Sequence, residues 1–166
     1  MKPFSRVAEA IPHSGIREMM ELAATLDGVI HLEVGEPSFN TPPHIIEAAL
    51  ADARAGYTKY TPTPGLLSLR NSIAEQASAS WGRKVTADQV LVTTGAVGAL
   101  AAALFGLVEE GDEVLLPDPG WPNYASIVAL GRGSPRLYQL RPEDEFLPDP
   151  ARMAGLITPR TKALLI

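Results

Sequence analysis

From Val90 onward the chain reads as strand, helix, strand, helix at an even spacing, and that rhythm constrains its fold more than any other feature. Runs that are β-branched, apolar or alternating start near residues 90, 113, 136 and 162, with helix-length apolar patterns between them. Antiparallel strands can be joined by tight hairpins, whereas parallel strands need a long crossover, usually a helix. The spacing therefore predicts βαβ units and an α/β fold of three layers, a mostly parallel sheet with helices on both faces. Ligands in such sheets sit beyond the carboxyl ends of the strands.

The stretch Gln89–Leu100 is the sharpest of these transitions. Val90, Leu91 and Val92 with Thr93 and Thr94 favour an extended chain, and after Gly95 the residues Ala96 to Leu107 are helical in pattern. A strand that turns abruptly into a helix leaves the first helical N–H groups without intrahelical acceptors, at the positive end of the helix dipole. With small side chains at Gly95, Ala96 and Gly98, that turn is a seat for a phosphate. The same glycines would also serve a plain packing turn. A dinucleotide site is the nearest rival, but G-x-x-G lacks the full G-x-G-x-x-G spacing, and Leu115-Leu116-Pro117 stands where an acidic residue should end the second strand.

The remaining chain supplies the context. Ser14–Leu26 predicts a helix, Val29–Val34 a half-buried strand with Ile30, Leu32 and Val34 on one side, and Gly35–Asn40 a loop. Thr41-Pro42 opens a helix whose apolar stripe is Ile46, Ala49, Leu50 and Ala53. Tyr57–Gly65 is a proline-rich loop, followed by a helix over Leu66–Ser80 and a capping-box turn at Thr86 and Gln89. Beyond the central helix come a solvated acidic turn at Glu110–Asp112 and a strand from Glu113 to Leu116. The loop Pro117–Pro122 carries Trp121 to the same sheet edge as Gly95, so phosphate seat and aromatic platform are expected in one crevice. A helix over Asn123–Leu130, a strand over Arg136–Leu140, an exposed acidic turn at Glu143–Glu145, a helix from Asp149 to Ile157 and a buried strand at Lys162–Ile166 complete the pattern.

Composition excludes several classes. A net charge of −5 with scattered basic residues offers no broad surface for nucleic acid or acidic membranes. The longest uncharged apolar run, Ala96–Val108, is shorter than the roughly 20 residues a membrane span needs. Cysteine is absent, so there are no disulfides or thiolate metal sites, and no metal is expected. With no apolar core after Met1–Arg6, the chain reads as cytoplasmic.

Taken together, five segments resemble the class I/II aminotransferases, pyridoxal-phosphate enzymes of the aspartate aminotransferase fold. They are Ser14–Met19, Val34-Gly35-Glu36-Pro37, Tyr60–Gly65, Thr94–Leu100 and Pro119–Tyr124. The resemblance implies that residues 1–40 contribute to the small domain and 41–166 form the first part of the large cofactor-binding domain. It implies that Gly95, Ala96 and Val97 grip the phosphate of pyridoxal 5'-phosphate through their backbone and that Trp121 stacks on its ring. It further implies that Tyr60 reaches the phosphate held by the other subunit of a homodimer, and that Gly35 lies near the substrate carboxylate. The reaction implied is transfer of an amino group from an α-amino acid to a 2-oxo acid. Ala96 and Val97 lack the hydroxyl that family members often carry in the phosphate turn, which leaves more of the grip to the backbone.

By the same resemblance, the Schiff-base lysine, the other groups that bind the ring and the arginine for the substrate carboxylate are expected beyond Ile166. No catalytic residue is assigned among Lys2, Lys59, Lys84 and Lys162, and the chain reads as part of a longer enzyme. The alternatives are a non-catalytic remnant that binds cofactor or dimerises, a cofactor-sensing regulatory domain, and a related lyase. Expressed by themselves, these residues are expected to be poorly soluble, because the final strand leaves an open sheet edge.

Overall fold

Val114, Leu115 and Leu116 are buried on both faces of one strand, and the sheet is built outward from them. The computed structural model describes residues 3–166. In chain order the helices are α1 (Arg6–Ala10), α2 (Gly15–Ala23), α3 (Pro43–Arg54), α4 (Leu67–Trp81), α5 (Gly95–Leu107), α6 (Asn123–Leu130) and α7 (Pro150–Ala154). The strands are β1 (Glu113–Asp118), β2 (Ser134–Gln139) and β3 (Thr161–Leu164). The chain divides into two compact units, one made of the chain up to Asp27 together with Gly95–Ile166, the other of Gly28–Thr94.

In the first unit the three strands are parallel in the order β2-β1-β3. β1 pairs with β2 from Glu113↔Ser134 to Asp118↔Gln139, and with β3 from Glu113↔Thr161, with one irregularity before Val114↔Ala163. Because side chains alternate across a strand, Val114 and Leu116 join one core with Leu104 of α5, Val108 just after it, and Ile127 and Val128 of α6. Leu115 faces the other way and packs with Tyr138 and Met153 of α7. Helices thus cover both faces, as the rhythm of the sequence predicts. Tyr138 carries its hydroxyl into the interior, where it donates to the Leu165 carbonyl at 2.7 Å, and burial pushes its phenol pKa up.

Among the described residues Glu113, at the head of β1, is the one charged residue in the buried interior and is 2% exposed. Its carboxylate accepts hydrogen bonds from Thr158 Oγ1 at 2.7 Å, Arg160 Nη2 at 2.7 Å and Arg136 Nη1 at 3.3 Å. Glu113 follows the acidic turn Glu110–Asp112 and, unlike the solvated carboxylates expected there, is buried. The Thr158 hydroxyl first, and then the Arg160 guanidinium, hold this carboxyl below the usual glutamate range against the opposing effect of burial. The acidic turn at Glu143–Glu145 is likewise partly paired, with Asp144 accepting from Arg152 at 2.7 Å.

The second unit holds α3, α4 and the short 3-10 turn Ala87–Gln89, capped reciprocally by Thr86 and Gln89 as expected. Arg70 of α4 donates to the carbonyls of Gly65 and Ala87 at 3.2 and 2.8 Å, tying helix, loop and turn together.

Several expectations need correction. Val29–Val34 forms no strand; Ile30 and Leu32 are largely exposed, because the alternating run meets neither a ladder nor a core among the described residues. Val90–Thr94 is not assigned as a strand and ends in a bend at Thr94, and Val92 donates to the Pro64 carbonyl at 3.0 Å. Among the described residues the sheet thus has three strands rather than four. The last strand is shorter than Lys162–Ile166 and only alternately half-buried, since one of its edges has no neighbour among the described residues. The stripe of α3 is exposed at Ile46 and Leu50, and the helix is capped at Pro42 rather than Thr41. The helices at Ser14 and Asp149 end early, at Ala23 and Ala154, and the five-residue α1 had no periodic signal long enough to reveal it.

Two measurements test this account of the core. Leu115→Ala should cost about 2–5 kcal/mol in denaturant unfolding, the range for a fully buried leucine. Glu113→Gln should lower the melting temperature near neutral pH. A carboxyl with a depressed folded pKa stabilises above its ordinary pKa and loses that contribution as pH falls through the folded value. Melts from about pH 7 to about pH 3 should therefore show a shallower acid decline for the variant than for the parent protein.

Candidate functional site

Gly95 opens α5 at a φ of +76°, in the left-handed region that side chains rarely adopt. A Cβ built there would meet nothing within 4 Å, so it is the backbone conformation, and not lack of room, that requires glycine. Gly95, Ala96 and Val97 are all exposed at the head of a thirteen-residue helix. The first turn carries no acidic side chain of its own. Exposure, small side chains and dipole together suit an anion.

The second part of the site is the loop that leaves β1. Asp118 ends the strand, a cis peptide joins it to Pro119, and Gly120 follows. A Cβ on Gly120 would sit 2.4 Å from the Pro117 carbonyl oxygen, so only glycine lets the chain fold this tightly back. Trp121 then lies half-buried, with its ring edge-to-face against Tyr124 at a centroid distance of 5.3 Å and an interplanar angle of 80°. Asp118 is held across the strand pair: its Oδ2 accepts from Gln139 Nε2 at 2.6 Å, and its carbonyl accepts from the Leu140 N–H at 2.8 Å. Asp118, Gly120, Trp121, Tyr124 and Leu137 line a hollow of about 200 Å³ beside the loop.

These two parts belong to one unit and one core. α5 ends at Leu107, a short turn away from the start of β1 at Glu113. The helix and strand therefore run in opposite directions, and the head of α5 lies toward the carboxyl end of β1. Leu100 and Ala101 of α5 pack against the same buried cluster as Trp121. A phosphate monoester attached to a flat ring fits the kinds of group present, namely a positively polarised helix end for the anion and an indole packed on the same core for the ring.

Tyr60 and Gly35 lie in the other unit. Tyr60 is fully exposed in its loop, and Gly35 is exposed with open space around its Cα. Close to Gly35 in sequence, His31 Nδ1 and Glu33 Oε1 are 2.6 Å apart, and the histidine contact holds the Glu33 carboxyl below its usual range. The sequence reading missed the Asp118–Gln139 contact and the Tyr124 edge. Tyr124 is legible in retrospect, one helical turn after Trp121, whereas nothing local marks Gln139. Among the described residues, no helix is long and apolar enough to cross a membrane.

Comparison with known proteins places the chain in a family. Residues 27–166 match the family profile of "Aminotransferase class I and II". The chain is 38% identical to the aspartate aminotransferase of Bacillus subtilis over all of its own length and 43% of that protein's. It is 37% identical to the aspartate aminotransferase of Pyrococcus horikoshii, over 94% of this chain and 40% of that protein. The solved aspartate aminotransferase of Thermus thermophilus with maleate superposes with a TM-score of 0.91 at 35% identity, covering 100% of this chain and 44% of that one. The chain thus spans about two fifths of the length of these relatives. The parallel sheet, its two helical layers and the match across nearly the whole sequence lead to one conclusion: the chain belongs to the class I and II aminotransferases.

Proposed function

We propose that these residues seat the cofactor of a pyridoxal-phosphate-dependent aminotransferase that moves an amino group from an α-amino acid to a 2-oxo acid. The observation that carries the reading is the glycine-opened, acid-free head of α5, which shares a buried cluster with Trp121 at the carboxyl end of β1. The turn at Gly95, Ala96 and Val97 would hold the phosphate through its backbone, and Trp121 would fix the plane of the pyridine ring. When bound, pyridoxal phosphate supplies an electron sink for the α-carbon of the amino acid. Holding phosphate and ring at once fixes the cofactor's direction and excludes water from one of its faces, which is what an oriented reaction requires.

The other assignments are part of the same proposal. Tyr60 would reach the phosphate bound by a second copy in a homodimer, which its full exposure permits. Gly35 would leave room for the substrate carboxylate, with open space where a Cβ would stand. Residues 1–40 would belong to the smaller domain and 41–166 to the cofactor-binding one. Aspartate is the first donor to assay, because the similar proteins in Bacillus and Pyrococcus are aspartate aminotransferases. A cytoplasmic setting suits a chain without cysteine. We assign no residue of this chain to proton transfer. Lys162 sits near the amino end of β1, where its Nζ is 3.9 Å from Asp112, at the opposite end of the sheet from Trp121.

The test is a pyridoxal-phosphate titration followed by an amino-transfer assay from aspartate to a 2-oxo acid. Saturable binding is expected, and Trp121→Ala should weaken it about tenfold, the scale of an aromatic stack plus its buried area. Binding that ignores Trp121→Ala, or a protein that binds no cofactor at all, would overturn the reading.

A further inference from the structure

We propose that Gln139 is a positioning residue for the cofactor ring: its amide holds the Asp118 carboxylate and thereby fixes the loop that presents Trp121. The inference rests on the reading of Trp121 as the platform for that ring.

The geometry leads there in steps. Asp118 and Gln139 are the last register partners of β1 and β2, so both stand at the carboxyl edge of the sheet. Beyond them the ladder is closed by the Leu140 N–H donating to the Asp118 carbonyl at 2.8 Å. The side chains add a second tie, a hydrogen bond of 2.6 Å from Gln139 Nε2 to Asp118 Oδ2. Tyr138 turns into the core below the sheet, so by alternation Leu137 and Gln139 lie on the other face. That is the face on which Leu137 lines the hollow beside Trp121.

Only Pro119 and Gly120 separate Asp118 from Trp121, and neither adds much freedom. Proline fixes its own φ. Gly120 is pressed so close to the Pro117 carbonyl that a Cβ there would stand 2.4 Å from the oxygen. A tilt of Asp118 therefore passes to Trp121. From the other side the ring is held by the edge of Tyr124, and the Tyr124 N–H donates to the Trp121 carbonyl at 3.1 Å. α6 thus supports one end of the platform, and the Asp118–Gln139 pair sets the other. Gln139 itself is exposed, so the pair contributes little to the buried core. Its effect should fall on ring position more than on global stability.

The experiment uses a Trp81→Phe background, which leaves Trp121 as the one tryptophan within these 166 residues. Titrating pyridoxal phosphate while following Trp121 emission reads affinity and ring proximity together, and thermal melts read stability separately. Gln139→Leu should weaken binding about fivefold and reduce the maximal quenching, with little change in melting temperature. Asp118→Ala should do the same. Asp118→Asn should behave like the parent, since its amide oxygen still accepts from Gln139. The double variant Asp118→Ala with Gln139→Leu should be no worse than either single variant, as expected for two ends of one contact.

If Trp121 is quenched normally and Gln139→Leu binds like the parent, the positioning role is overturned while the platform stands. If the cofactor does not quench Trp121 and Trp121→Ala leaves affinity unchanged, the platform fails and this inference falls with it. Should Gln139→Leu not fold, the comparison of Asp118→Ala with Asp118→Asn decides, and equal affinities for those two overturn the proposal.

Discussion

The Glu113 carboxylate is the interaction on which the sheet depends. A buried charge is tolerated only when partners replace the water it loses. Here Thr158 and two arginines do so, all from outside β1. Arg136 belongs to β2, while Thr158 and Arg160 precede β3, so one side chain gathers all three strands at their amino end. The Glu113 N–H adds a backbone bond to the Arg160 carbonyl at 2.8 Å. Any slip in register would separate the carboxylate from these donors, which gives the contact a specifying role beyond its contribution to stability.

With its amino end fixed, β1 can carry a strained arrangement at the other. The tight Gly120 turn and the left-handed Gly95 are both unfavourable to most sequences, and both lie at the carboxyl side of the sheet. Open parallel sheets place their ligands there, since the loops at that edge can vary without disturbing the ladder. The core under the site is continuous with the core under the clamp, through Val114, Leu116, Leu104 and Val108. Packing of that kind is stiff, so Trp121 stands on a rigid base.

How much of this was legible depended on whether the deciding contact was local. The bounds of α6 and the capping box at Thr86 and Gln89 could be read directly, because caps, stops and helical period are written within a few residues. Gly95 and Trp121 were also legible, since a glycine at a strand-to-helix turn and a tryptophan in a proline-rich loop stand out by themselves. Val29–Val34 and Val90–Thr94 misled for the opposite reason. Their residues favour an extended chain, but a ladder also needs a neighbour, and period alone cannot supply one. The burial of Glu113 was hidden in the same way, because Arg136, Thr158 and Arg160 come from distant parts of the sequence.

The two ties on β1 differ in kind, and the difference bears on how such a site can change. The Glu113 carboxylate is buried, so removing its partners strands a charge in the interior and threatens the whole sheet. The Asp118–Gln139 pair ends the same strands, but its glutamine is exposed. Losing it would leave a carboxylate that water can solvate at modest cost. A change at the carboxyl end can therefore move the aromatic platform by small amounts while the register set at the amino end stays fixed. The fold holds its stability and the fine geometry of its candidate site at opposite ends of one strand, which lets the second be adjusted without putting the first at risk.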